Sequence, residues 1–247
     1  MYWPAVRRHI VYGAASMATL GIAELGRTLV LAPHPDDKTI GCGGMLALLG
    51  YAGAVVHVIL MTDSTGSQPR TRSYPAARLR ALRLGEMVNA LRELGHMPDC
   101  LTALGFPDGA VPTPDDPTFS AAVSLLANIA NNFRPDTVVM PWRDDDHRDH
   151  RATHALGEAA FCSAAPQARR LEYPIWGGHD DRLALHIDIT AVVDRKQRAL
   201  ARHRSQQGQV VFDDPQGFVL PAELLVRCMA PVEIFFDTTN RFENGQR

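Results

Sequence analysis

Short apolar runs alternate along the chain with segments whose apolar residues recur at helical spacing. The apolar runs are of strand length and predict β-strands at residues 28–33, 55–61, 100–106, 137–141, 171–176, 185–189 and 232–236. The helical spacing predicts helices at residues 41–50, 76–94, 118–133 and 191–204, and a further helix after residue 154. Strands that alternate with helices predict an α/β fold, with a mostly parallel sheet and helices on both of its faces.

No linker, repeat or low-complexity segment divides this pattern, so residues 1–247 are predicted to form a single domain. The first 26 residues are mildly apolar, but the apolar run is interrupted by Glu24 and ended by Arg27. They predict a helix packed on the domain rather than a signal peptide. No segment reaches the ~20 consecutive apolar residues of a membrane span.

Composition narrows the possible partners and the cellular compartment. A net charge of -2 disfavours nucleic acid and anionic membranes, because both require a basic face. The 4 cysteines are widely spaced and form no CxxC pair, which predicts reduced thiols in a cytoplasmic protein. The oligomeric state is left open, with a homo-oligomer as one option.

Two clusters of polar residues directly follow predicted strands. The segment His34-Pro35-Asp36-Asp37 follows the first strand, and residues 144–150 (DDDHRDH) follow the strand at 137–141. Ligands of an open α/β sheet bind beyond the carboxyl ends of its strands. We therefore expect both clusters at one edge of the sheet, although each alone is also compatible with a helix cap or a solvated loop.

Histidine and aspartate at this edge are the ligand types of a catalytic zinc site, which takes three protein ligands and leaves one position for water. His34, Asp37 and one histidine of the second cluster would supply the set. Spacing does not decide which histidine is the third ligand, because His147 and His150 lie three positions apart and His150 and His154 lie four apart. The latter pair lacks the glutamate of HExxH, so a zincin motif is disfavoured and His154 is interpreted as a packed or exposed helix residue.

Other residues receive plainer interpretations. His57 lies inside a predicted strand and is interpreted as a packed histidine, and His203 is expected to form a local hydrogen bond on its helix. Trp142 and Trp176 follow strands, and packing is favoured over sugar stacking for both. Residues 63–66 either line the cleft or form a turn.

Five ordered motifs resemble those of the PIG-L/LmbE-like deacetylases, and the resemblance covers residues 28–206. The first motif is similar to the A-H-P-D-D-E opening of that family and is followed by a glycine-rich GCGG. The motifs are 32–37 (APHPDD), 83–86 (RLGE), 104–109 (LGFPDG), 141–150 (PWRDDDHRDH) and 196–206 (KQRALARHRSQ).

The resemblance implies a Rossmann-like three-layer sandwich and removal of an N-acetyl group, typically from an N-acetylglucosamine unit. It implies that His34, Asp37 and His150 hold Zn²⁺, with another divalent metal as an alternative. Zinc in such a site lowers the pKa of its bound water to ~7.

The resemblance also implies roles for residues around the metal. Asp36 matches the general base, and His147 matches the histidine that stabilises the oxyanion in its protonated form. Asp149 matches the carboxylate that orients His147 and raises its pKa. Arg83 and Asp108 match positions near the sugar.

One position of the first motif departs from the resemblance. The family usually has glutamate after the two aspartates, whereas this chain has Lys38. Three consequences are open: the lysine extends outward from the helix start, it lowers metal affinity as a cation beside zinc, or it contacts an anionic substrate.

The leading hypothesis is a zinc-dependent hydrolase that deacetylates an N-acetylglucosamine-containing small molecule or glycoconjugate. The alternatives are a metal-dependent amidase acting on a non-sugar amide or an S-conjugate, and a non-catalytic sugar- or metal-binding homologue. A nucleotide-binding Rossmann protein is disfavoured, because no G-x-G-x-x-G follows the first strand. Substrate recognition is expected from loops 68–75, 107–117 and 208–217, the last of which is expected to be mobile.

Overall fold

The computed structural model describes residues 18–177 and 184–239. Within them the strands are β1 Ala18–Thr19, β2 Thr28–Ala32, β3 Val56–Thr62, β4 Leu101–Phe106, β5 Thr137–Pro141, β6 Arg169–Tyr173, β7 Ala184–Asp188 and β8 Val232–Asp237. The α-helices are α1 Asp37–Tyr51, α2 Ala76–Glu93, α3 Phe119–Phe133, α4 Arg148–Ala164, α5 Val193–Leu200 and α6 Ala222–Cys228.

The strands form one sheet in the order β1-β7-β8-β6-β5-β2-β3-β4. Every pairing is parallel except those of β8, which runs antiparallel to both β6 and β7. The chain first builds outward from β2 to β3 and β4, and then returns to β5 on the other side of β2. The strand order therefore reverses between β2 and β5, which is where open α/β sheets bind ligands.

Two apolar cores lie on opposite faces of the sheet. Along β2, Val30 faces the core formed with α1, α2, α5 and α6, while Leu29 and Leu31 face the core formed with α3 and α4. Strand side chains point alternately to the two faces, so a strand covered on both sides is a continuous apolar run. The predicted α/β class, the mostly parallel sheet and the three layers are confirmed.

Helix boundaries differ from the predictions at both polar clusters. Helix α1 begins at Asp37 rather than at residue 41, and α4 begins at Arg148 rather than after residue 154. The amino-terminal ends of helices favour carboxylates, and Asp37 and Asp149 lie in the first turns of these two helices. Both candidate clusters thus lie at helix starts as well as at strand ends.

Helix α5 is shorter than predicted and ends at Leu200. The amides of Arg202 and His203 donate to carbonyls three residues back, which tightens the chain out of the α-helix. The predicted amino-terminal helix falls on residues 1–17, which lie outside the described residues, and on a short strand and a 3₁₀ turn that follow them.

Two further expectations concern the cysteines and the membrane. All four cysteines are free thiols. Across residues 18–177 and 184–239, every helix falls short of the length and apolarity needed to cross a bilayer.

The glycines of the GCGG segment allow α1 to pack closely against its neighbours. A Cβ atom on Gly44 would lie 2.5 Å from Cγ2 of Ile189, and one on Gly41 would lie 2.2 Å from the ring of Tyr173. Both neighbours are fully buried, so neither can move aside easily. Small residues at these positions hold the helix that begins at Asp37 against the sheet.

We expect Gly44→Ala to destabilise the fold by about 1–3 kcal/mol, because the added methyl overpacks the core. The matched control is Gly85→Ala in α2, where an added Cβ meets no atom within 4 Å. That change should leave stability unchanged or raise it by up to about 1 kcal/mol, since alanine is the better helix former. Urea unfolding of both variants gives the comparison, and equal effects would contradict the packing argument.

Candidate functional site

The two polar clusters meet at the carboxyl ends of β2 and β5. These strands are direct neighbours in the sheet. His34 follows β2 by two residues, and the segment from Trp142 to His150 follows β5 and enters α4. The expectation that both clusters lie at one edge of the sheet is met, and the edge is the one where the strand order reverses.

A single oxygen of Asp37 joins the two clusters. Its Oδ2 lies 3.0 Å from Nδ1 of His34 and 3.2 Å from Nε2 of His150. The same oxygen accepts a hydrogen bond from the amide of His34 at 2.7 Å. The structure thus brings together the three residues that the resemblance implies as metal ligands.

The donor set fits a divalent metal. Both ring nitrogens of His150 are buried, and neither makes a well-aligned hydrogen bond in the described part of the chain, although a carboxylate oxygen lies 3.2 Å from each. Ring nitrogens of His34, His147 and His150 also lie within 4.8 Å of one another. A buried imidazole that faces a carboxylate without an aligned hydrogen bond, beside two further imidazoles, is suited to binding a divalent cation.

The charges of the site favour a cation as well. Burial alone lowers the pKa of His150, but Asp37 and Asp145 outweigh it and raise the pKa to about 10. The pKa of His34 is also well above its ordinary value, because Asp37 and Asp108 outweigh burial. Burial raises the pKa of Asp37, yet the two histidines bring it well below the ordinary value. A metal ion would supply the positive charge that protons supply in its absence.

Asp145 is a site residue that sequence reasoning did not distinguish within its run of three aspartates. It is fully buried, and its Oδ1 lies 3.2 Å from Nδ1 of His150 and accepts from the amide of His147 at 2.9 Å. Its Oδ2 accepts from the amide of Trp176 at 3.0 Å. A carboxylate on the far nitrogen of a ligating histidine fixes the ring and its tautomer. One sequence feature could have distinguished Asp145. It lies two residues before His147, the cap of α4, and aspartate at such a position commonly accepts a hydrogen bond from the backbone amide two residues later.

Asp36 contacts a buried arginine. Nη2 of Arg83 lies 3.3 Å from Oδ1 of Asp36, and Nη1 donates to the carbonyl of Ser64 at 3.2 Å. Burial raises the pKa of Asp36, and the Arg83 guanidinium opposes the rise. The aspartate expected to act as a base is therefore held in place by the arginine that was expected near the sugar.

Asp149 contacts His34 rather than the side chain it was expected to orient. Its Oδ2 lies 3.3 Å from Nε2 of His34 and accepts from the amide of Gly109 at 2.7 Å. Asp108 lies on the same nitrogen, with Oδ1 3.2 Å from Nε2, and its Oδ2 accepts from the amide of Gly66. Two carboxylates thus fix the far side of the His34 ring.

His147 caps the amino terminus of α4. Its Nδ1 accepts from the amide of Asp149 at 3.2 Å, which leaves the proton of a neutral ring on Nε2. Burial and the neighbouring His150 and His34 lower the pKa of His147 to about 4. Asp149 raises this pKa, as expected, and burial and the other two histidines act against it. The oxyanion role of His147 stays a prediction.

Lys38 does not extend outward. Its side chain is fully buried, and Nζ donates to the carbonyl of Pro35 at 2.7 Å and to Oγ1 of Thr39 at 3.0 Å. Burial lowers the pKa of this lysine to about 8, against the opposing effect of Asp36. His203 is likewise not locally bonded on a helix, since its Nε2 lies 3.1 Å from the hydroxyl of Thr39 on α1.

Three residues that were interpreted as packed or hydrogen-bonded, with no part in the site, are found in such environments. His57 is half-buried and bonds to Thr102 on the next strand, at 2.9 Å. Trp142 is buried and packs on Phe236, with ring centroids 4.4 Å apart, so it is not a sugar platform. His154 is partly buried on α4, where it contacts Glu172.

Two of the loops expected to recognise substrate are bound to each other. Asp213 accepts from the hydroxyl of Thr71 at 2.6 Å and from the amides of Arg72 and Ser73 at 2.9 Å. Asp214 accepts from the amide of Arg70 at 2.9 Å. The loop at 208–217, expected to be mobile, is thus anchored to the loop at 68–75 by two carboxylates.

We expect Asp145→Asn to weaken binding of a divalent metal about 10–100-fold, because the His150 ring loses its orienting carboxylate. Asp144→Asn, which changes the exposed neighbour, should leave the affinity unchanged. Titration with zinc in competition with a chromophoric chelator measures both. Equal affinities for the two variants would show that Asp145 has only a structural role in its loop.

Comparison with known proteins agrees with this geometry. The family model of PIG-L, GlcNAc-PI de-N-acetylase, matches residues 29–161, more than half of the chain. The 1D-myo-inositol 2-acetamido-2-deoxy-alpha-D-glucopyranoside deacetylase of Mycolicibacterium smegmatis is 31% identical over 249 residues, covering 80% of this chain and 85% of that protein. The 2'-N-acetylparomamine deacetylase of Streptomyces fradiae is 26% identical over 206 residues, covering 73% of this chain and 74% of that protein.

The fold also matches a solved structure. The N,N'-diacetylchitobiose deacetylase of Pyrococcus horikoshii superposes with a TM-score of 0.69 at 23% identity, covering 90% of this chain and 87% of that chain. At this identity the likeness speaks for the fold alone. The extent of the family match and the identity to the Mycolicibacterium smegmatis protein decide the relationship: this chain belongs to the PIG-L family.

Proposed function

We propose that this protein is a zinc-dependent hydrolase that removes the N-acetyl group from an N-acetylglucosamine-containing small molecule or glycoconjugate. The observation that carries the proposal is the contact of Asp37 Oδ2 with both His34 and His150, with Asp36 beside it on the same turn. The relatives named as deacetylases of N-acetylated amino sugars support this substrate class.

In this proposal His34, Asp37 and His150 hold the metal. Zinc bound there supplies a Lewis acid for the acetamide carbonyl and lowers the pKa of water to ~7. Asp145 fixes the ring of His150 from behind. Asp149 fixes the ring of His34 in the same way. In this proposal Asp149 therefore orients the ligand His34 and does not orient His147.

Asp36 acts as the general base and takes a proton from the attacking water. Its buried carboxyl, with a raised pKa, is a better proton acceptor than an exposed aspartate, and Arg83 holds it in one orientation. Asp36 then returns the proton to the leaving amine. In this proposal His147, whose Nδ1 accepts from the amide of Asp149, donates from Nε2 to the carbonyl oxygen as negative charge develops there. In this proposal Asp108, whose side chain is 12% exposed, contacts the sugar.

An acetate-release assay with metal analysis tests the proposal. N-acetylglucosamine, its glycosides and an N-acetylated aminoglycoside are suitable substrates. We expect acetate release that is lost on chelation and restored by zinc. Zinc binding without acetate release from any N-acetyl amino sugar would instead favour a binding protein, and release from a non-sugar amide alone would favour the amidase alternative.

Asp36→Asn should lower kcat by about 10²–10⁴-fold while zinc stays bound, because the amide cannot take the proton. His150→Ala should lose both zinc and activity. Measuring zinc content and kcat on the same samples separates the two roles. If Asp36→Asn retains full kcat, or His150→Ala retains full zinc, the corresponding role is wrong.

Asp213→Ala should raise KM several-fold with a smaller effect on kcat, because the loops at 68–75 and 208–217, which are expected to recognise substrate, lose a shared anchor. The control is Asp188→Ala, another exposed aspartate, which bonds the hydroxyl and amide of Thr190 within its own turn. Steady-state kinetics on the best substrate compares them. A KM unchanged from wild type in Asp213→Ala would show that this anchor has no part in recognition.

A further inference from the structure

Lysine occurs at two positions in this chain, 38 and 196, and both side chains are buried. Lys196 forms an ion pair with Glu233, at 2.7 Å. For Lys38, no carboxylate among the described residues lies within ion-pairing distance of Nζ. A buried cation without a direct counter-charge costs stability unless hydrogen bonds compensate. The contacts that Lys38 does make therefore indicate why it is there.

The main contact of Lys38 is the carbonyl of Pro35, at 2.7 Å. This carbonyl belongs to the peptide group that joins Pro35 to Asp36, so it lies between the ligand His34 and the base. The first-turn amides go elsewhere: that of Asp37 donates to the carbonyl of His34, and that of Thr39 donates to the carbonyl of Asp36. The Lys38 ammonium group is thus the donor that satisfies the Pro35 carbonyl, which lies between His34 and Asp36.

The second contact links Lys38, through Thr39, to the segment that follows α5. Thr39 Oγ1 accepts from Nζ at 3.0 Å and lies 3.1 Å from Nε2 of His203. A hydroxyl that accepts from an ammonium group has its own proton left to donate, so it donates to a neutral His203. Burial, together with the Lys38 and Arg83 cations, lowers the pKa of His203, which agrees with this assignment.

A glutamate in place of Lys38 could not form these bonds. An ionised carboxylate accepts hydrogen bonds only, so it would face the Pro35 carbonyl without a donor and would add charge beside Asp36 and Asp37. A neutral, protonated carboxyl has one proton to donate, where the ammonium group has three. Lys38 therefore has a structural part in the first turn of α1, because its ammonium group joins the Pro35 carbonyl to the Thr39 hydroxyl.

We propose that Lys38 is a positioning residue that fixes the Pro35–Asp36 peptide and thereby the placement of His34 and Asp36 relative to each other. The proposal rests on the proposed function, because it concerns the same metal site and base. Contact with an anionic substrate is ruled out for this residue, since its side chain is fully buried.

The test compares Lys38→Met, which removes both donor and charge at similar volume, with Lys38→Gln, which keeps a donor, and Lys38→Glu. Zinc affinity is measured by chelator competition on folded protein, and the Co²⁺ absorption spectrum reports the ligand geometry. We expect Lys38→Met to weaken zinc about 10–100-fold, to alter the Co²⁺ spectrum and to lower kcat more than it changes KM. Lys38→Gln should recover part of each loss, and Lys38→Glu should be at least as impaired as Lys38→Met.

Lys196→Met is the matched control, because it removes the other buried lysine outside the site. It should lower the melting temperature without changing the zinc affinity of the folded protein. If Lys38→Met fails to fold, the zinc affinities of Lys38→Gln and Lys38→Glu are compared instead. A higher affinity in Lys38→Gln would support the role of Lys38, and equal or reversed affinities would overturn it.

Distinct outcomes separate this inference from the proposed function. Wild-type protein that binds no zinc would overturn the proposed function itself. Wild-type protein that binds zinc, together with wild-type affinity and kcat in Lys38→Met or Lys38→Glu, would overturn the role of Lys38 alone. An equal loss of affinity in Lys196→Met would also overturn it, because the effect would then be one of general stability.

Discussion

The contact of one carboxylate oxygen of Asp37 with two buried imidazoles is the constraint on which the rest of the site depends. The oxygen reaches His34 within its own turn and His150 from the first turn of another helix. Both helix starts must therefore lie at fixed positions, which requires β2 and β5 to be neighbours and α1 to pack closely on the sheet. Glycines at the close approaches to Tyr173 and Ile189 permit that packing, so the apolar core and the metal site specify the same helix position.

The sheet was predictable because its central strands are buried on both faces, and such strands are continuous apolar runs. Convergence of the two clusters followed from the rule that parallel strands end at one edge. Helix starts were placed too late, because acidic residues that form a first turn look like loop residues when periodicity of apolar positions is the criterion. The end of α5 was placed too far along, since the tightening that brings His203 to Thr39 depends on a tertiary contact.

The site was predictable as a set of residues but not as a set of contacts. Spacing could not distinguish Asp145 from the aspartates on either side, because only its burial beneath His150 separates them. The resemblance paired Asp149 with His147, whereas in the folded chain the side chain of Asp149 reaches across to His34 and only its backbone amide reaches His147. Lys38 could not be placed from sequence either, since a long side chain at a helix start is compatible with both solvent and interior.

The charge states of the histidines in this pocket have a common electrostatic cause. Carboxylates crowd this pocket and outnumber its fixed cations, Arg83 and Lys38. This excess of negative charge raises the pKa of the two histidines that touch Asp37. His147 lies beside those two rings, with ring centroids 4.9 Å from each, and burial together with the two rings lowers its pKa. His34, Asp37 and His150 are the residues that would hold a divalent cation here, and its charge would take the place of the protons on the two histidines. His147 is therefore distinguished from His34 and His150 electrostatically, because burial and those two rings lower its pKa while Asp37 raises the pKa of both of them.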